Sequence, residues 1–429
     1  MSQSSKEKIE YRCPGETEPI SRAVHLARLA AFPLKCRGCA HRSDTANYSP
    51  KTAQRLAEVH GEVNCGATFD EEGLAGELVN ELTPDVAQQA ATAFGLWLRE
   101  REDTPCTNSD WPTVVLSADG RRLSAPLVAA AARGLRFAGC HVLDVGQATT
   151  GCLTLAIAQL RAEGGLAIGS MGHRTHEAAL RFWHRGVPLS RGAGLEQLET
   201  IHRGHLDRPT RRFGTLRRAS FEADYLDSLA DFFHALRPLR VVLDTSCQPI
   251  VEYLHRLCRS SECRIFDDTT NGATARDLVA RHEAHLGVVI DGCGETCRVL
   301  DERGEEVPCE RIVQLLARYL MQCVENRPGS SGTVSPAVVV EGETTPETEN
   351  FLADLGCRAV RAEHRRAEMC LTMKKEKAML AGGPSGRFWH VRSGHVAPDA
   401  LVTLSLLLVV LSQSDRPLSQ VLDETTTTG

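Results

Sequence analysis

The stretch Val114–Thr150 reads VVLSADGRRLSAPLVAAAARGLRFAGCHVLDVGQATT, and GGLAIGS follows at 164–170. Its short apolar runs and its alanine-rich helical period predict a strand at 114–120, a helix at 126–138, a strand at 140–146, a helix at 153–163 and a strand at 166–170. Strands that alternate with helices in this way build βαβ units around a parallel sheet. The stretch therefore predicts an α/β fold.

The same alternation of strands and helices restarts twice further along the chain. A second round begins with the helix predicted at 221–236, and a third begins with the strand AVVVEG at 337–342. Three rounds predict successive α/β domains of similar fold. We place these domains at 67–207, 221–328 and 334–420, after an N-terminal segment 1–66 that contains cysteines and before a disordered tail, 421–429. The basic stretch Arg208–Arg218 is interpreted as a solvated linker, with a phosphate-binding patch as the alternative.

The composition excludes several classes of protein. An apolar fraction of 42% and a charged fraction of 24% are those of an ordinary globular protein, and a net charge of −6 disfavours nucleic acid as a partner. The longest apolar run, Ala400–Leu411, is shorter than the roughly 20 residues that cross a bilayer, so it predicts a buried helix and no membrane partner. The first residues lack the apolar core of a secretory signal. We therefore expect a cytoplasmic protein.

The turn after the strand at 166–170 is the first candidate functional segment. GGLAIGSMGHRTHEA, at 164–178, ends a strand in small and polar residues, a place where α/β proteins bind ligands on exposed backbone N–H groups. At its centre stands Met171, which can neither attack an electrophile nor titrate. The turn thus has the setting of a reactive loop without a reactive residue in the middle.

The stretch 114–170 and the segment LGVVIDGCGETCRVLDERGE at 286–305 resemble the α-D-phosphohexomutases, the family of phosphoglucomutases and phosphomannomutases. LTPDVAQQAATAFGLWL at 82–98 is similar to that family's opening helix, and GGPSGRFW at 382–389 is similar to its sugar-recognising loop. The resemblance implies three phosphohexomutase-like α/β domains with mixed or parallel sheets flanked by helices. It also implies a sugar phosphate as ligand, a phosphoserine that exchanges its phosphoryl group, and a Mg²⁺ ion held by three aspartates.

The residues at the implied catalytic positions differ from the family pattern. The family's loop Thr-Ala-Ser-His-Asn-Pro aligns with Gly169 onward, so Met171 stands in place of the serine and His173 in place of the asparagine. A thioether cannot be phosphorylated. Ser170 serves as nucleophile only if the loop slides by one residue. The resemblance adds Arg121, in the first βα turn, as a catalytic-site residue that supports this loop together with Asp119. A buried ion pair of Arg121 and Asp119 that only stabilises the turn is the alternative.

The implied metal loop differs too. Asp291 is retained, but Cys293 and Glu295 stand where the family has aspartates. Magnesium prefers oxygen ligands, so a cysteine weakens its site. The loop is therefore either a turn with incidental cysteines or a weak site for zinc or another divalent cation.

The implied sugar-recognising loop loses its carboxylate. The segment Gly382–Arg387 keeps Ser385, but Gly383 replaces the family's glutamate and Arg387 replaces its histidine. Ser385 and Arg387 are the candidate substrate-binding residues, and Arg387 either clamps an anion or is a solvated or ion-paired arginine. The chain ends at Gly429, so we expect the family's fourth domain to be absent.

The N-terminal segment carries a cysteine pattern of its own. A Cys-x-x-Cys-x-His motif follows a predicted helix, and further thiols flank it on both sides. Such a set has the composition of a tetrahedral zinc site, although an iron–sulfur cluster and unliganded thiols are alternatives. The candidate zinc ligands are Cys13, Cys36, Cys39 and His41 or Cys65, with His25 as a substitute.

Two functional hypotheses follow from these patterns. The first is a phosphohexomutase-like protein that is catalytically impaired and serves as a sugar-phosphate-binding protein, or as a scaffold for a protein partner or a homo-oligomer. The second is an active phosphohexomutase that uses Ser170 as nucleophile and a divalent metal at Asp291 and Glu295.

Overall fold

The computed structural model describes the residues 11–13, 17–30, 39–41, 44, 48–49, 67–78, 80–101, 111–170, 177–206, 211, 213–267, 274–325 and 335–423. The chain divides into two units, Met1–Gly66 and Ala67–Gly429. In the first unit the helix α1 spans Arg22–Ala30, and Tyr11 pairs with Ile20 in an isolated antiparallel bridge. The described residues of the second unit form three sheets in chain order.

The first sheet has the order β1-β2-β6-β5-β3-β4-β8, with β7 paired to β6. Its strands are β1 (Thr68–Phe69), β2 (Leu74–Glu77), β3 (Thr113–Ala118), β4 (His141–Gln147), β5 (Gly164–Gly169), β6 (Glu177–His184), β7 (Val187–Pro188) and β8 (Leu216–Arg218). Its helices are α2 (Pro84–Glu100), α3 (Ala125–Phe137), α4 (Thr150–Leu160) and α5 (Leu195–Arg203). The strand–helix alternation predicted from Val114 to Ser170 is confirmed, because β3, β4 and β5 are parallel neighbours.

The second sheet has the order β10-β9-β11-β12-β13. Its strands are β9 (Arg240–Thr245), β10 (Arg264–Phe266), β11 (Leu286–Ile290), β12 (Cys297–Leu300) and β13 (Glu306–Val307). Its helices are α6 (Glu222–Ala230), α7 (Gln248–Leu257), α8 (Ala275–His282) and α9 (Cys309–Glu325). Helix α8 begins at Ala275, where Thr274 and Asp277 form a reciprocal capping box.

The third sheet has the order β15-β14-β16-β17-β18. Its strands are β14 (Ala337–Glu341), β15 (Arg358–Ala362), β16 (Leu380–Gly382), β17 (Trp389–Arg392) and β18 (His395–Pro398). Its helices are α10 (Pro346–Asp354), α11 (Arg366–Glu376), α12 (Ala400–Ser412) and α13 (Leu418–Asp423). Among the described residues, each sheet places a block of parallel strands beside an antiparallel one, with four parallel strands in the first sheet and three in each of the others. The predicted succession of similar α/β folds is therefore confirmed.

Helix α12 is buried as its sequence predicts. Asp399 caps its N-terminus by accepting hydrogen bonds from the backbone N–H groups of Leu401 and Val402. The side chains of α12 belong to one apolar cluster with residues from α4, α6, α7, α9 and the second sheet. Among the described residues, no helix has both the length and the apolar character needed to cross a membrane.

Two sequence expectations need correction. The end of the basic stretch Arg208–Arg218 is not wholly a linker, because Leu216–Arg218 forms the edge strand β8 against β4 while its side chains stay exposed. The tail expected to be disordered from 421 is helical through Asp423. Leu418 and Leu422 are buried, and the Ser419 hydroxyl donates to Glu302 at 2.5 Å, which holds this last helix in place.

Candidate functional site

The candidate site is built around the end of β5. The strand stops at Gly169, and Ser170 follows with only 3% of its surface exposed. The Ser170 Oγ has no hydrogen-bond partner among the described residues. Met171 and His173, which the sequence singled out, lie outside the described residues, as does the rest of 171–176.

Asp119 holds the backbone at this position. Its carboxylate accepts hydrogen bonds from the Ser170 N–H at 2.7 Å, from the Ser124 hydroxyl at 2.8 Å and from the Arg121 side chain. Arg121 also donates to the carbonyl of Glu177 at 3.0 Å, at the start of β6. Arg121 therefore ties the first βα turn to the strand after the candidate loop, which is the supporting position that the sequence implied.

The loop after β11 packs directly on Ser170. Gly292 makes this approach possible, because a Cβ at that position would lie 2.5 Å from the Cβ of Ser170. Asp291 accepts a hydrogen bond from the Glu295 N–H at 2.8 Å, and the Cys293 Sγ lies 3.3 Å from the Asp291 Oδ2. Burial, with the nearby carboxylates of Asp291 and Glu295, raises the pKa of Cys293 well above its usual range, so this thiol keeps its proton.

The third member of this loop, Glu295, is bound by other side chains of the protein through its Oε1. It is 1% exposed, and its Oε1 accepts from the Thr150 hydroxyl at 2.8 Å and from the guanidinium of Arg366. The Nε of Arg387 lies 3.4 Å from the Glu295 Oε2, close enough for an ion pair although without hydrogen-bond geometry. Two guanidinium groups thus surround the carboxylate that was predicted to bind a metal.

Arg366 is the residue that sequence reasoning missed. It opens helix α11, has 0% of its surface exposed, and places its guanidinium carbon 4.7 Å from the ring centre of Trp183. Two of its nitrogens, Nε and Nη1, have no hydrogen-bond partner among the described residues. An aromatic face partly replaces the missing partners, since its quadrupole attracts a desolvated cation. Nothing in the segment HRRAEM distinguishes this arginine from a surface residue.

Arg387, a predicted substrate-binding residue, is paired inside the protein. Its terminal nitrogens donate to the two carboxylate oxygens of Glu72 at 3.0 and 3.3 Å, a bidentate arrangement. Burial alone would raise the pKa of Glu72, but the guanidinium groups of Arg387, Arg366 and Arg181 outweigh it and lower the pKa. Of the two alternatives for Arg387, the ion-paired arginine is the one observed.

Ser385, the other predicted substrate-binding residue, is also occupied. Its hydroxyl and its N–H both donate to Glu341, the last residue of β14, which is 4% exposed. Gly383 leaves space for this carboxylate, because a Cβ there would lie 2.7 Å from the Glu341 Cβ. The loop therefore binds a glutamate from its own sheet, a partner that the sequence did not indicate.

Little space is left between these groups. The described residues Ser170, Asp119, Thr150, Cys293 and Glu295 surround a cavity of about 20 Å³, together with Arg181 and Trp183. A volume of that size holds about one water molecule.

The residues of this site do not fit a magnesium ion. Of the three ligand positions, one is a protonated thiol and another is a carboxylate paired with arginine, whereas Mg²⁺ requires free oxygen ligands in octahedral geometry. Across the described parts of the chain, no three His, Cys, Asp or Glu side chains are grouped so that they could hold a metal ion.

The zinc site predicted for the N-terminal unit is only partly described, since Cys36 and Cys65 lie outside the described residues. Cys13, Cys39 and His25 are buried, and Cys13 accepts a hydrogen bond from Arg28 at 2.8 Å. The His25 Nε2 has no partner among the described residues, and its ring stacks on Tyr11 at 4.6 Å. His41 lies at the edge of the same tyrosine ring. The zinc site stays a prediction.

Elemental analysis of the intact chain tests the zinc prediction. The expected result is one zinc per chain for the wild type and loss of that zinc in Cys39→Ser, because the Cys-x-x-Cys pair supplies half of a tetrahedral site. Cys370→Ser, which removes a buried thiol of the second unit, is the matched control. A wild-type chain purified with zinc in the buffer and found metal-free would contradict the prediction.

Comparison with known proteins agrees with the fold. The model of the phosphoglucomutase/phosphomannomutase alpha/beta/alpha domain I matches residues 66–190. A probable phosphoglucosamine mutase of Pyrococcus horikoshii is 25% identical over 367 residues, which cover 81% of this chain and 76% of that protein. The phosphomannomutase of Escherichia coli K12 is 23% identical over 395 residues, or 84% of this chain and 79% of the relative.

A solved structure shows the same architecture. The crystal structure of a phosphoglucomutase/phosphomannomutase family protein from Burkholderia thailandensis superposes with a TM-score of 0.70 at 19% identity, and covers 82% of this chain and 78% of that one. The three related sheets, the family model over the first of them and the relatives that extend across the later ones lead to one conclusion. Residues 66–190 match domain I of the phosphoglucomutase/phosphomannomutase family, and most of the chain resembles members of the α-D-phosphohexomutase superfamily.

Proposed function

We propose that this protein is a phosphohexomutase-like scaffold that transfers no phosphoryl group. The observation that carries the proposal is the buried pair of Arg366 and Glu295. Its carboxylate belongs to the loop where the family resemblance implies magnesium ligands, and its guanidinium comes from the start of helix α11.

Phosphoryl transfer requires an in-line hydroxyl, a cation that can bind the transferring group and room for the substrate. The arginines here are already paired with carboxylates of the protein: Arg366 with Glu295, Arg387 with Glu72 and Arg181 with Asp70. Arg366 and Arg181 are buried and Arg387 is mostly buried, and a cavity of about 20 Å³ cannot admit a hexose phosphate. Ser385 and Arg387 are likewise bonded within the protein, which favours a scaffold over a sugar-phosphate-binding protein.

One observation favours the second hypothesis, an active phosphohexomutase. The Ser170 Oγ is buried against Gly292 and has no partner among the described residues, so it retains its hydrogen-bonding capacity. A divalent ion at Asp291 and Glu295, however, would first have to displace Arg366. Removing one partner of a buried ion pair costs about 3–5 kcal/mol, which makes this hypothesis the weaker one.

A mutase assay separates the two hypotheses. With glucose 1-phosphate or mannose 1-phosphate, Mg²⁺ and the matching hexose bisphosphate, we expect the turnover of the wild type to equal that of Ser170→Ala. Ser405→Ala, a buried serine in helix α12, is the matched control for side-chain removal.

Turnover in the wild type and in Ser405→Ala that disappears in Ser170→Ala would contradict the proposal. The intact mass gives a second readout, because a working enzyme would carry a phosphoryl group on Ser170. We expect the unmodified mass.

A further inference from the structure

We propose that a second pocket of this protein binds a small organic molecule through its phosphate group. The pocket, here called the basic pocket, lies between the C-terminal end of α4, the β6–β7 turn and the β17–β18 turn. It shares no lining residue with the candidate site, so this proposal does not depend on the proposed loss of phosphoryl transfer.

The basic pocket has a volume of about 410 Å³. Ile157, Ala158 and Ala162 give it apolar surface, while its cationic groups come from Arg161, Arg185 and Lys374. Cavities of about 300–1,000 Å³ with apolar walls and a few polar groups are typical of small-molecule sites. The volume exceeds what a bare phosphate ion fills, so the apolar surface is available to the organic part of a phosphate ester.

The three cations of the basic pocket outnumber its single carboxylate, that of Glu163. Within the described residues, no carboxylate forms an ion pair with Arg161, Arg185 or Lys374, in contrast to Arg366 and Arg387. The acidic residue of the pocket, Glu163, accepts a hydrogen bond from the Thr113 N–H at 2.8 Å. Three positive side chains around one cavity raise its electrostatic potential and attract an anion.

Two of these residues have a left-handed backbone conformation. Arg161 caps α4 with a φ of 50°, and Arg185 has a φ of 48° in a turn with Gly186 at 73°. Glycine and asparagine are the residues that fit such left-handed positions best. Arginine stands at both, and both arginines line the same pocket.

His395 supplies a neutral hydrogen-bonding group to the same pocket. Burial, together with the positive charges of Arg392 and Lys374, lowers the pKa of His395 to about 4, so its ring is uncharged at pH 7. Its Nδ1 has no partner among the described residues. An anion bound beside this ring would stabilise the protonated form and raise the pKa of His395.

Calorimetric titration of the full chain at low ionic strength tests the proposal, with inorganic phosphate, glucose 6-phosphate and adenosine monophosphate as probes. We expect saturable binding of at least one ester, tighter than that of inorganic phosphate. The combined variant Arg161→Gln, Arg185→Gln and Lys374→Gln should weaken it by about tenfold or more, because each substitution removes a charge-assisted contact. Lys375→Gln, Arg259→Gln and Arg264→Gln together are the control of equal charge change, and should alter binding by less than about twofold.

A histidine-detected NMR titration provides a second readout. Saturating ester should raise the pKa of His395 in the wild type and in the control, but not in the pocket variant. Equal binding by the pocket variant and the control, or no saturable binding of any probe by the wild type, would overturn the proposal.

Discussion

Arg366→Met is expected to lower the free energy of unfolding by about 3–5 kcal/mol, because it leaves the buried carboxylate of Glu295 without its principal cation. Arg366 and Glu295 are 0% and 1% exposed, so water cannot take over the lost charge interaction. Arg387 only partly compensates, since it lies 3.4 Å from Glu295 without a hydrogen bond and is already bound to Glu72. Methionine keeps the length of the side chain, which limits the contribution of an empty cavity.

Urea unfolding of the intact chain, followed by tryptophan fluorescence, measures this effect. The control is Arg365→Met, a half-buried neighbour that pairs with the exposed carboxylates of Glu363 and Glu71, and it should change stability by less than about 1 kcal/mol. Adding Glu295→Gln to Arg366→Met should recover part of the loss, since an unpaired amide is less costly to bury than an unpaired carboxylate. Equal stability of the two single variants would show that the ion pair is not what stabilises this cleft.

The second large effect is a pH dependence centred on Asp399. This carboxyl caps helix α12 and accepts hydrogen bonds from the Tyr225 hydroxyl at 2.8 and 3.0 Å. Burial raises its pKa to about 6, although the Tyr225 hydroxyl, the N–H groups of Val402 and Leu401 and the charge of Arg392 all oppose the shift. The thiol of Cys152 lies close enough to interact electrostatically with both Tyr225 and Asp399.

The sign follows from the raised pKa. The folded state binds a proton at Asp399 more tightly than the unfolded state does, so this group's contribution is fully present below about pH 4 and is lost as the pH rises through 6. A shift of about two units corresponds to about 3 kcal/mol. Asparagine also caps helices and does not titrate.

Stability curves from pH 4 to pH 7.5 measure this difference. Relative to Asp399→Asn, the wild type should lose about 3 kcal/mol over that range. Tyr225→Phe should steepen the dependence, because the hydroxyl that favours the ionised carboxylate is gone. Parallel curves for the wild type and Asp399→Asn would refute the prediction.

The order of strands and helices could be predicted because each depends on residues close together in sequence. The alanine-rich helix α3, the capping box of α8 and the apolar run of α12 each carry their own signal. The edge strand β8 could not be predicted, since its pairing with β4 depends on backbone hydrogen bonds and not on its exposed side chains.

The residues of the site could be predicted, but not the side chains of the protein with which they pair. The sequence pointed to Glu295 and Arg387 from the resemblance of their loops. Their partners Arg366 and Glu72 are 71 and 315 residues away in the chain, and no local pattern announces such pairings. Ser385 was expected to contact a ligand, but Glu341, 44 residues earlier, accepts its hydrogen bond.

Four charged side chains form a row in the order Glu72, Arg387, Glu295 and Arg366. This row of charges has a mechanical consequence. Glu72 lies in a loop of the first sheet, and Glu295 lies in a loop of the second sheet. Arg387 lies in a loop of the third sheet, and Arg366 opens helix α11 beside that sheet. The row of charges therefore joins all three sheets. Many enzymes with a cleft between domains open and close it by hinge motions of those domains. Here a hinge opening would pull guanidinium from carboxylate in a medium of low dielectric, where their attraction is strong. The three sheets with their helices should therefore move as one rigid body.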